Sequence, residues 1–144
     1  MPKSRTVKLI QGDRLFANRS SSGKRFQLNV DTAQIINPKG VQAQIEGNVI
    51  QTVSRTLKEE VLFDRSAVTS LHWGTYPILT FPELPEIVIE LIDRPTEKPW
   101  GAGEPTAAVV PSAISNAIFD ATGARIRSVP FKASKLQPIL RSIT

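Results

Sequence analysis

The 144-residue chain has no cysteine, one histidine, one methionine and only 6% aromatic residues. Without cysteine there is no disulfide framework, no thiolate nucleophile and no ligand set for an iron–sulfur cluster. His72 alone cannot build a multi-histidine metal site, and neither a Ser/His/Asp arrangement nor a Gly-rich nucleotide loop is present. No run approaches the roughly 20 apolar residues of a membrane-spanning helix. Internal repeats and low-complexity stretches are also missing from the body. What remains is 40% hydrophobic, enough for one globular domain with a real core.

Charge is unevenly placed. The net charge of +5 arises in the first 25 residues, where Lys3, Arg5, Lys8, Arg14, Arg19, Lys24 and Arg25 face a single acid, Asp13. The rest of the chain is close to neutral. A basic tail can touch nucleic acid or acidic lipid, but with a near-neutral body no specific nucleic-acid site is expected. Residues 1–25 read as a basic, flexible leader with at most a short strand around Val7–Ile10. The leader lacks the apolar core of a secretory signal, so a cytoplasmic location is expected.

Organised structure is expected over residues 26–131, followed by a polar tail at 132–144. Phe26, Leu28 and Val30 alternate with polar residues, as in a half-buried strand. After the Asn37-Pro38 turn, Val41, Ile45, Val49, Val53 and Leu57 recur every four residues and form the buried stripe of a helix. Gln44, Gly47, Asn48 and Gln51 share another face, open either to solvent or to a polar ligand. Residues 60–64 and 68–71 suggest a strand pair. The aromatic group His72-Trp73 with Tyr76 could form a binding surface, although packing a crossing loop onto the body is the preferred reading. Glu86–Ile92 is apolar on almost both faces, as in a central or well-covered strand.

A second helix is expected with Pro111 in its first turn, Ile114, Ala117, Ile118 and Ala121 as its stripe, and Gly123 as its stop. A last strand is expected at Arg125–Val129. The resulting fold class is α+β: a two-layer domain, with two amphipathic helices packed on one face of a mixed β-sheet.

The run Trp100-Gly-Ala-Gly-Glu-Pro105 places one carboxylate, Glu104, between glycines and a proline ahead of this helix. The glycines permit close backbone approach and the proline stiffens the turn. Glu104 is either a solvated turn residue or a held proton acceptor.

Gly101–Pro105, Pro111–Gly123 and Arg125–Pro130 together closely resemble the C-terminal end of molybdenum hydroxylase large subunits, the xanthine dehydrogenase and aldehyde oxidase relatives, and look most like the isoquinoline 1-oxidoreductase branch. Val30-Asp31, Asn37-Pro38 and Ala43–Gly47 are similar to that family's strand–turn–helix passage, with Asn48 and Thr52 where Gly or Ala is usual and Thr32-Ala33 where a small residue and Gly often stand. The resemblance implies a partial second molybdopterin-binding domain with Glu104 as catalytic base. It implies Gln44, Gly101 and Gly103 as cofactor contacts, with no protein ligand to the metal. The cofactor implied is molybdenum-molybdopterin, bound in a complete assembly rather than by this chain alone. Its implied partners are the remaining part of the large subunit and an iron–sulfur small subunit. The reaction implied is hydroxylation of an N-heterocycle or an aldehyde, with water as the oxygen source. A non-catalytic interaction module keeping the same fold is the alternative.

Overall fold

The computed structural model describes residues 15–19 and 25–143. The element order is β1 (Leu15–Arg19), β2 (Arg25–Asp31), α1 (Pro38–Leu57), β3 (Glu86–Ile92), α2 (Gly103–Thr122) and α3 (Ala133–Ile143), with a short 3-10 turn at Phe81–Glu83 ahead of β3. The sheet order is β1-β2-β3. β1 runs antiparallel to β2, and β2 runs parallel to β3 with Arg25 opposite Glu86 and Asp31 opposite Ile92. The fold is thus a small α+β domain with a mixed sheet.

Alternation along β2 decides which face the helices cover. Leu28 and Val30 are buried and meet Ile45, Val49 and Val53 of α1 and Val110 of α2, while Phe26, Ile87, Ile89 and Leu91 flank this core. α1 starts where the sequence signals it. Asn37 caps it by accepting a hydrogen bond from the Gly40 N–H at 3.0 Å, and Pro38 occupies the first turn, where its missing N–H costs nothing. The spacing-of-four stripe is the buried one.

Several elements differ from the sequence reading. β1 lies within the stretch read as leader; the suggested strand at Val7–Ile10 and most of the expected flexible segment lie outside the described residues. α2 begins at Gly103, two turns before Pro111, which sits inside the helix. Its buried residues are Thr106, Val110 and Ala113, because the early turns are the ones that cross α1; Ile114, Ala117 and Ile118 are half-buried and Ala121 is exposed. Gly123 does end the helix, at φ 73°, with its N–H on Phe119 O.

Residues 125–129 pair with no strand among the described residues. Ala124 and Ile126 are buried, and Ser115 donates to Ile126 O at 3.3 Å. Their alternation reflects packing along a helix rather than a sheet. The residues read as a polar tail form α3, joined to the body by Phe131 N–H on Thr56 O and by Lys132 and Lys135 on Glu60.

The crossing segment from 60 to 85 is held by polar bonds and by Leu79, which packs against the core. The expected strand pair reduces to a single bridge, Phe63 to Val68. Asp64 Oδ1 accepts from the Ser66 N–H, the Ser66 hydroxyl and the Ala67 N–H. Leu79 N–H donates to the buried Ser54 Oγ, Tyr76 donates to Glu59, and Lys58 pairs with Glu83. Tyr76 therefore ties the segment down, whereas Trp73 is 73% exposed and does not pack onto the body.

Candidate functional site

Parallel pairing brings the C-terminal ends of β2 and β3 to one edge of the sheet. Each strand leads through a loop into a helix. The positive ends of α1 and α2 therefore follow from the same edge, the side on which open α/β sheets commonly receive ligands. The two loops are sewn together. Arg94 N–H donates to Ala33 O and Trp100 N–H to Thr32 O, both at 3.0 Å, while Ile35 N–H reaches Asp93 Oδ1 at 2.9 Å. Asp31 fixes the corner. Its carboxylate accepts from the Ala33 N–H and from Arg94 Nε, each at 3.0 Å.

Ala33 takes φ 62°, a left-handed conformation for which glycine is the easier residue. The Thr32 hydroxyl beside it is buried and has no hydrogen-bond partner among the described residues.

The crossing of α1 and α2 gathers most of the residues singled out in the sequence. A Cβ placed on Gly103 would lie 2.8 Å from Asn48 Nδ2 and 3.5 Å from Gln44 Oε1, so glycine is what lets the first turn of α2 approach the amide face of α1. Asn48 is itself held by donating to Gln44 O at 2.9 Å. Gln44 is exposed, with its side-chain amide beside this crossing. Glu104, next to Gly103, stands in the first turn of α2 and is exposed. It belongs to the helix rather than to a loop ahead of it. Gly101 is exposed, and a Cβ there would meet nothing within 4 Å. Gln44, Gly103 and Glu104 thus share one end of the α1–α2 crossing, and Gly101 sits two residues before it.

Thr32 and Ala33 enter this neighbourhood through the loop bonds. The sequence marked them as departures from a family pattern, and nothing in their residue types announced the hydrogen bonds to residues 94 and 100. Among the described residues, no group of three or more His, Asp or Glu side chains is placed to hold a metal ion.

A family model described as the molybdopterin cofactor-binding domain matches residues 22–85. The chain is 49% identical over 116 residues to a nicotinate dehydrogenase polypeptide of Pseudomonas putida, covering 81% of this chain and 10% of that protein. It is 30% identical over 123 residues to the beta subunit of isoquinoline 1-oxidoreductase from Brevundimonas diminuta, covering 83% and 16%. Among solved structures, quinoline 2-oxidoreductase from Pseudomonas putida 86 superposes with a TM-score of 0.72 at 25% identity, over 82% of this chain and 16% of that one. These matches make the chain a molybdopterin-binding domain of the molybdenum hydroxylase family. It spans between a tenth and a sixth of the length of these three relatives.

Proposed function

We propose that this domain contributes one wall of a molybdopterin site in a molybdenum hydroxylase acting on an N-heterocycle or an aldehyde, with Glu104 as the base. The observation that supports the reading is the close approach of Gly103 to the Gln44 and Asn48 side chains at the crossing of α1 and α2, with Glu104 the next residue of α2. The residues suit a pterin. The exposed Gln44 amide can both donate and accept, Gly101 leaves open space around its Cα, and the free N–H groups of a helix start favour an anionic group. When bound, the molybdenum centre supplies electron acceptance and a water-derived oxygen. This chain's own contribution is to hold Gln44 and the α2 start in fixed relation, and to present a carboxylate that takes a proton.

The chain spans 10% of the Pseudomonas putida nicotinate dehydrogenase polypeptide. On this reading, turnover uses the remaining part of a large subunit and an iron–sulfur small subunit, in the cytoplasm. No helix among the described residues is long and apolar enough to cross a membrane.

In that assembly, Glu104→Gln keeps the side chain's size and removes the proton acceptor. Turnover normalised to bound molybdenum should fall by about 10²-fold or more, with cofactor content unchanged. Turnover at the parent rate would remove Glu104 from the role of base. A second reading, a non-catalytic interaction module, is favoured by Asn48, whose amide fills the space beside Gly103. A complete assembly that binds no cofactor would select it.

A further inference from the structure

The crossing segment presents most of its large apolar side chains outward, with Leu79 the one that packs against the core. Phe63 is 75% exposed, Leu71 78%, Trp73 73% and Phe81 89%, with Val61 and Leu62 exposed beside them in sequence. These side chains do not hold the segment in place; the bonds to Ser54, Glu59 and Lys58 and the packing of Leu79 do. Large apolar residues presented on a polar-braced segment mark a surface meant to be covered.

β3 gives a second, independent sign. It is apolar at Ile87, Val88, Ile89, Leu91 and Ile92, on both faces, as strands in the middle of parallel sheets are. Yet it is an edge strand, with no neighbour on its outer side among the described residues. Its only charges are the exposed Glu86 and Glu90; it has no proline and its seven-residue register with β2 runs without a bulge, so two of the usual protections of a free edge are missing.

We propose that the remaining polypeptide of a molybdenum hydroxylase large subunit docks here, covering the apolar side chains of residues 61–81 and adding a strand to the outer edge of β3. The proposal rests on the large-subunit reading above. The relatives carry the same segment within much longer chains, of which this one spans 10% and 16%, and that additional polypeptide is the occupant. Main-chain pairing at β3 would supply register, and the exposed aromatics would supply the anchors.

The test pairs this 144-residue chain with the Pseudomonas putida nicotinate dehydrogenase polypeptide from which the matching segment has been deleted. Co-production should give a one-to-one complex. On binding, amide exchange should slow by at least tenfold at Ile87–Leu91, and Trp73 fluorescence should shift to the blue. The triple variant Leu71→Ser, Trp73→Ser, Phe81→Ser should leave the melting of the free chain unchanged and weaken the complex by at least tenfold. Equal binding by the triple variant would overturn the proposal, as would self-association of the chain through these residues.

If no complex forms in trans, the chain is grafted in place of the deleted segment. A folded graft with β3 amides as fast as in the free chain would overturn the proposal equally; slowed amides would uphold it. The cofactor reading fails separately. A complex that depends on Leu71, Trp73 and Phe81 but holds no molybdopterin upholds the docking surface and removes that reading, and a cofactor-loaded complex indifferent to them does the reverse.

Discussion

An alanine at Gly103 would bring its Cβ to 2.8 Å from Asn48 Nδ2, an amide already engaged by Gln44 O. Two opposing effects meet at this position. Replacing glycine in a helix gains roughly 0.5–1 kcal/mol, and the overlap costs about 1 kcal/mol or more. Gly103→Ala should therefore be neutral or destabilising in the parent chain. In an Asn48→Ala background it should stabilise by about 0.5–1 kcal/mol, a coupling near 1 kcal/mol readable by a double-mutant cycle in urea. Absence of coupling would mean that the two helices do not approach through these residues. Glu104→Gln, by contrast, touches an exposed side chain, and in the isolated chain its effect should stay within about 0.5 kcal/mol.

At the scale of elements, what the sequence revealed depended on whether a pattern had one physical cause. The α1 stripe was legible because Ile45, Val49 and Val53 pack on one sheet face and polar residues fill the opposite side. β2 was legible for the same reason. α2 was placed late because Pro111 resembles a first-turn proline, whereas the true start at Gly103 has no side-chain cap. α3 was hidden by Pro138 and by two lysines that read as a solvated tail, although both bind Glu60. At the site, Glu104, Gly103 and Gln44 were legible only as candidates that the resemblance named, and the structure brings Gly103 up to the Gln44 and Asn48 side chains. The loop bonds through Thr32 and Ala33 were not, since backbone pairing over such separations leaves no mark in residue type. These differences alter the expected energetics. Val49→Ala, at a fully buried position, should cost about 1–3 kcal/mol, and Ile118→Ala, on the half-buried side of α2, about half of that or less. Denaturant midpoints would show the contrast; equal losses would mean that the C-terminal half of α2 is packed more tightly than described.

For the molecule as a whole, acid should loosen its peripheral parts. Lys58, then the Thr80 hydroxyl and N–H, hold the Glu83 carboxyl at about 2, below its ordinary 4.5, and Lys135 and Lys132 lower that of Glu60. Both carboxyls are depressed on folding. Their contribution is complete above about pH 4.5 and is lost as pH falls, for Glu83 through about 2. Melting temperature should decline over that window, and Glu83→Gln should flatten the decline. A variant curve parallel to the parent's would remove Glu83 from the account.

The parallel pairing of β2 with β3 carries a consequence for what counts as a self-sufficient piece of this chain. The family-model match ends at residue 85 and β3 begins at Glu86, so the matched stretch contains one strand of the pair without the other. It also omits Val110, the contribution of α2 to the buried cluster around Leu28 and Val49. A polypeptide cut at that boundary would leave the sheet's middle strand unpartnered along one side and its core open. The segment that the family model matches is therefore smaller than the unit that carries the sheet and its core.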